Sequence, residues 1–374
     1  MIRSALLLFA GVVAAACFAC TPSPPELSAG GPATGSPPPD CDQVSGALRS
    51  GPGGTLASRV APLSHTFDVR ALATCDPSPC NDPTTNPQPA AVPNTDSYAA
   101  DIKAAYDIAP PFFRAQLCSL SNIFIVDSDS SHNSPLSWGV RKRSDQKKFI
   151  GLSVDNWRGG PLSQSTPLAT YEMQLLDRLL QVNGLPSGSS KYLYTTFAAT
   201  PDTRSLAILD ILAHEMGHIV WWDQNVAQGC TKSPAYSPQH FQQLSWSVLG
   251  NTARFHDFGM QNGGHLGPSL STLVYNFTHP LPNTSPTTTL GYIYNGDPTY
   301  QEVSASVFAT VAQDEDFIET FKYLVLTRAG LQHFNVAIGQ NSPIDVVANL
   351  NASTLSNRLA RKGQWIQDCV IGNQ

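Results

Sequence analysis

The chain predicts an α+β fold within one large domain, and three observations carry that reading. Runs rich in branched and aromatic residues, at 123–126, 149–154 and 191–197, have the composition of strands bounded by turn formers. Next comes Leu206–Trp222, LAILDILAHEMGHIVWW, which is apolar on nearly every helical face and therefore reads as a buried helix. Helical periodicity then dominates from Glu302 to Ala329 and from Ile344 to Trp365. Charged residues make up only 13% of the chain and the net charge is −6. No basic cluster exceeds Arg141–Arg143 and Lys147–Lys148, so the composition argues against nucleic acid as a partner.

Residues 1–20 combine Arg3, an apolar run from Ala5 to Ala19 and small residues before a cysteine, the grammar of an export signal rather than of a membrane span. Ala14-Ala-Ala-Cys17 resembles the lipobox of bacterial lipoproteins, and Cys17-Phe-Ala-Cys20 matches it less well, so Cys20 or Cys17 is the candidate for lipidation. Cysteine parity favours Cys20, because Cys41, Cys75, Cys80, Cys118, Cys230 and Cys369 then remain as an even set. An ordinary secretory signal without lipid is the plainer alternative. Either way the mature protein is expected outside the cytoplasm, in the cell envelope as a periplasmic or outer-membrane lipoprotein or secreted, where cysteines oxidise. The tract 21–40, rich in Pro, Gly, Ser and Ala, cannot bury enough apolar surface to fold and reads as a disordered tether.

Globular composition begins at Cys41 and continues to residue 374 without an internal repeat. Residues 75–93 form a further Pro-rich loop that Cys75 or Cys80 could pin. Helices are expected over 97–108, ended by Pro110-Pro111, and over 112–118. For the long buried helix, Thr200 offers a cap, Pro201 a first turn, Asp202 an acid at the positive end and Gly229 a stop. The stretch 239–289 reads as irregular, its aromatics Phe241, Trp246, Phe255 and Phe258 forming a small core in preference to a pocket. Cys369 is expected to staple the C-terminus, with Cys230 as one candidate partner, although connectivity cannot be read from spacing.

The chemistry lies in His214, Glu215 and His218, an H-E-x-x-H array inside the buried helix. Residues four apart share a helical face, so two imidazoles can aim at one ion about 2.0–2.1 Å away. Glu215, offset around the helix, is the candidate general base, and the expected reaction is hydrolysis of an amide. The bland reading, two satisfied core histidines beside a glutamate, is disfavoured by the rarity of the array and its uninterrupted apolar setting.

ILAHEMGHIV resembles the metal-binding helix of the zincin superfamily of zinc peptidases. Trp221 and Gln224 stand where metzincins carry their glycine and third histidine, which excludes that branch. Gluzincins take a glutamate from a downstream helix, with a second acid four residues later. Here Gln313-Asp-Glu-Asp-Phe-Ile-Glu319 contains E-D-F-I-E, similar to the E-x-F-x-E of lethal-factor-like and related bacterial peptidases. The resemblance implies Zn2+ held by His214, His218 and Glu315, with Glu319 orienting a ligand histidine. It also implies a zincin-like domain in which a mixed-sheet upper subdomain sits over a mostly helical lower one and a sheet edge pairs with extended peptide or protein substrates.

Glu302, His256, Asp257, His265 and His279 remain rival ligands, and Tyr292, Tyr294, Tyr300 and His265 are the available donors to a developing oxyanion. The expected function is zinc-dependent peptide-bond hydrolysis by an exported, lipid-anchored metallopeptidase. The alternatives are a catalytically silent surface lipoprotein of the same fold acting in binding, and hydrolysis of a non-protein amide such as a peptidoglycan cross-link.

Overall fold

The computed structural model describes residues 40–41, 53–67, 94–127, 137–142, 145–193, 195–223, 229–230, 240–246, 265–279, 285–299, 301–353 and 357–373. The export signal, the tether up to residue 39, the 75–93 loop with Cys75 and Cys80, Cys17, Cys20, Phe255, Phe258, His256, Asp257 and Tyr300 lie outside them.

The architecture is α+β with two sheets. Strands β1 (Val60–Leu63), β2 (Asn122–Val126), β3 (Trp138–Arg141) and β4 (Lys148–Ser153) form the first, in the order β1-β2-β4-β3. β1, β2 and β4 run parallel, and β3 closes one edge antiparallel to β4, with Gly139 opposite Ile150. Side chains alternate across this sheet. Ile123, Ile125, Ile150 and Leu152 face the main helical core, while Phe124, Val126 and Phe149 gather with Leu63 and Trp138 on the other side. Helices α1 (Asp96–Ile108) and α2 (Pro111–Leu117) sit near the positions expected, separated by Pro110.

The third expected strand is displaced. Lys191–Leu193 belong to a 3-10 turn, and β5 runs instead from Thr195 to Thr200 with Thr195, Phe197 and Ala199 on its less exposed side. β5 pairs with β6 (His333–Ile338), which also pairs with β7 (Ile344–Asp345) in an antiparallel second sheet.

That ladder positions the two helices that matter most. β5 leads into α4 (Arg204–Asp223), which carries the H-E-x-x-H array, and β6 follows α7 (Gln313–Arg328), which carries the downstream acids. Thr200 pairs with His333, so the start of α4 and the end of α7 are held side by side and the helices run antiparallel. His214 and Glu319 lie equally far along their helices from that pairing, at one level of the bundle. Gly217 sits where the two helices touch: an added Cβ would meet Ile318 Cγ2 at 3.0 Å.

The start signal expected at Thr200–Asp202 is corrected. Thr200 ends β5, and Thr203 supplies the turn into α4, its Oγ1 accepting from the Leu206 N–H at 3.3 Å. Asp202 caps a different helix, α3 (Pro167–Val182), whose Leu168 and Ala169 N–H groups donate to its two carboxylate oxygens at 2.8 and 3.1 Å. α4 stops at Asp223, ahead of Gly229.

Part of 239–289 is helical rather than irregular. α5 (Leu270–Thr278) and α6 (Pro286–Asn295) begin at Ser269 and Ser285, whose hydroxyls accept from the N–H three residues on. The helical run from Glu302 is shorter than expected, because 302–307 is irregular and α7 starts only at Gln313. The last helical stretch divides into α8 (Val346–Leu350) and α9 (Arg358–Cys369), capped by Asp345 and Asn357. Disulfides join Cys41 to Cys118 and Cys230 to Cys369. None of the described helices is long and apolar enough to cross a membrane.

Candidate metal centre

α4 is buried along most of its length because its sequence is apolar on all faces, and the histidines therefore sit inside the bundle. At the facing level, α7 opens with three consecutive acids that have three different fates. Asp314 accepts from its own and the Glu315 backbone N–H, closing the helix start. Asp316 turns to Lys362 Nζ at 2.9 Å and Trp246 Nε1 at 3.2 Å. Glu315 turns to the histidines, its carboxylate oxygens 3.8 Å from His214 Nε2 and 3.7 Å from His218 Nε2.

Among the described residues, His214, His218 and Glu315 form the one group of three or more His, Cys, Asp or Glu that could share a metal ion, with their ligand atoms all within 4.8 Å of one another. Tetrahedral ligands bonded at 2.0–2.1 Å stand roughly 3.4 Å apart, and each His–Glu separation is within a few tenths of an ångström of that spacing. Two further observations fit a cation. Glu315 Oε2 is buried without a hydrogen-bond partner, a costly state that a positive charge would relieve. Two imidazoles with one carboxylate are also a donor set suited to zinc with one position left open. The side chains of His214, His218 and Glu315 keep 10, 18 and 13% of their surface exposed, so the site can be reached from solvent, most readily at His218.

Contacts around the histidines fix their rings. His214 Nδ1 meets Glu319 Oε1 at 2.8 Å, leaving Nε2 to face Glu315 and His218. Phe308 lies flat on the His214 ring, 5.3 Å between centroids and 10° between planes. Glu215 is buried on the neighbouring face, where its carboxylate accepts from the Gly139 backbone N–H of edge strand β3. The approach is close: a Cβ at Gly139 would lie 1.9 Å from the Glu215 carbonyl oxygen.

Burial raises the Glu215 carboxyl to about 7, against the pull of His214 and of the Gly139 N–H. It also raises Glu315 well above the ordinary carboxyl range. Burial and the neighbouring His214 push His218 down to about 3. His214 goes the other way: burial disfavours its cation, but the Glu319 hydrogen bond and the charges of Glu215, Glu315 and Glu319 outweigh this and take it to about 9. The balance favours a second proton on His214, and a cation bound at Nε2 would displace it.

The remaining candidates separate from this site. Glu302 belongs to a second buried cluster, 2.7 Å from Lys362 Nζ and accepting from Ser245 Oγ at 2.5 Å. His265 is in that neighbourhood, packed edge-on against Trp246 with Nδ1 on the Gly267 carbonyl. His279 is exposed and stacks on Tyr275. Tyr292 is exposed, whereas Tyr294 is buried and its hydroxyl accepts from the Val307 N–H. Glu172, Lys322, Phe308 and Gly139 were not legible as site residues. Lys322, a cation interrupting the apolar run Phe321–Val325, was the one visible signal.

Compared with protein-family models, with curated proteins and with solved structures, the chain finds no match.

Proposed function

We propose that this chain is an exported, lipid-anchored zinc metallopeptidase of gluzincin type that hydrolyses peptide bonds. His214, His218 and Glu315 hold the ion, Glu319 orients His214, and Glu215 is general base and proton shuttle. The observation that carries the reading is the convergence of two α4 imidazoles and one α7 carboxylate, one of whose buried oxygens has no hydrogen-bond partner.

When bound, zinc supplies a Lewis acid that polarises a carbonyl and lowers the pKa of a coordinated water. The chain's own residues do the rest. Glu215, with a pKa raised by burial to about 7, can take a proton near neutrality and give it up again to a leaving amine. The Gly139 N–H holds one side of that carboxylate and so restricts its orientation. Glu319 keeps the proton of His214 on Nδ1, so that Nε2 presents a lone pair to the ion. β3, a sheet edge pressed against Glu215, can take up an extended peptide by strand addition.

The test is Glu215→Gln, assayed on a generic unfolded protein with zinc content measured alongside. Hydrolysis should fall about 100–10,000-fold while zinc stays near one per chain. Full activity in the variant would exclude the mechanism. A metal-loaded wild type without any amidase activity would favour a silent binding protein.

A further inference from the structure

We infer that Lys322 is a positioning residue of the metal centre: its buried ammonium grips Glu319 from the side opposite His214 and so sets the direction in which that histidine presents Nε2. The inference rests on the metal-centre reading above.

Lys322 follows Glu319 by three residues on α7, and both side chains are fully buried. Its Nζ lies 2.9 Å from Glu319 Oε2, 2.6 Å from Glu172 Oε1 on α3 and 3.6 Å from Asp210 Oδ1, one turn before His214 on α4. The Tyr323 ring covers another side, its centroid 5.0 Å away. Three acids from three helices therefore surround one cation, and their charges outweigh the burial that would otherwise neutralise it.

Burying an ammonium is costly, and an apolar side chain of similar length would pack the same space without that cost. What an apolar side chain could not do is hold Glu319. Its carboxylate has donors on both oxygens, His214 Nδ1 at Oε1 and Lys322 Nζ at Oε2, with the Ser306 hydroxyl as a third. Pinned from both ends, the carboxylate cannot rotate, and the line His214–Glu319–Lys322–Glu172 ties an α4 ligand to α3 through α7. Without Lys322, Glu319 is held from the His214 side and by one hydroxyl, and the imidazole loses its fixed bearing.

The experiment is zinc affinity of the full chain, by competition with a chelator, for Lys322→Met in the wild-type and Glu319→Gln backgrounds, with melting temperature recorded for each. Loss of a partner that orients a metal-binding histidine costs about 10–100-fold in affinity. That loss is expected in the wild-type background and should not recur in Glu319→Gln, because Lys322 acts through Glu319. If Lys322→Met does not fold, the charge-balanced pair Lys322→Met with Glu172→Gln carries the same comparison. A folded variant binding zinc as tightly as wild type, or one weakened equally in both backgrounds, overturns the inference and leaves the metal centre standing. A wild type that binds no zinc removes both.

Discussion

Asp210 is an acid set into an otherwise apolar helix face. It lies fully buried one turn before His214, with neither carboxylate oxygen hydrogen-bonded, although Lys322 Nζ is 3.6 Å away. Burial raises its pKa well above the ordinary value, and the acids Glu172 and Glu319 add to this against the pull of Lys322. A carboxyl that keeps its proton longer in the folded than in the unfolded state lowers stability as pH rises from about 4 towards the folded pKa. Asp210→Asn is therefore expected to melt a few degrees higher than wild type at pH 7, the gap closing by about pH 4. A variant less stable at pH 7 would mean that the pairing of Asp210 with Lys322 outweighs the cost of its burial. At this scale the sequence was most legible where spacing does the work. Two histidines four apart, and two glutamates four apart, each share a face on any α-helix, so both pairs could be read without coordinates. Glu172 and Lys322 could not, because nothing local brings α3 to α7.

Elements decide whether those pairs meet. The β5–β6 ladder aligns the start of α4 with the end of α7, and Gly217 lets the helices approach. The sequence showed that both helices exist, since long periodic runs dominate local preference. Their boundaries were less clear, as Asp202 illustrates: an acid ahead of one helix in sequence caps another in space. α5 and α6 were overlooked although Ser269 and Ser285 are favourable caps, because they are short and set in a stretch rich in turn formers. Strand β3 likewise gave little signal, yet it brings the backbone to Glu215. Gly139→Ala tests its role, since the new Cβ would lie 1.9 Å from the Glu215 carbonyl and must push strand and helix apart. Displacement on the order of 1 Å can cost about 100-fold in kcat/KM, so activity should drop by roughly that factor while zinc content holds. Unchanged kcat/KM would remove β3 from the site.

The described residues form a set of packed helices braced by two sheets and by disulfides that close long stretches of chain. Cys230–Cys369 spans 139 residues and joins the segment after α4 to the end of the last helix. By chain entropy a loop of that length contributes about 5 kcal/mol, so Cys230→Ser with Cys369→Ser should lower the unfolding free energy by a margin of that order and move the denaturant midpoint down with it. An unmoved midpoint would show that the bundle needs no brace there. The α+β class was readable because strand-like and helix-like runs differ clearly in composition and period; the second sheet was not, since β6 lies far from β5 in sequence and only the folded chain pairs them. The deciding measurement for the metal centre is crystallography with anomalous scattering at the zinc edge, on wild type and Glu315→Ala. One ion is expected in the wild type, about 2.0–2.2 Å from His214 Nε2, His218 Nε2 and a Glu315 oxygen, lost or much reduced in the variant. A folded wild type grown in zinc without that peak, or an undiminished peak in Glu315→Ala, would contradict it.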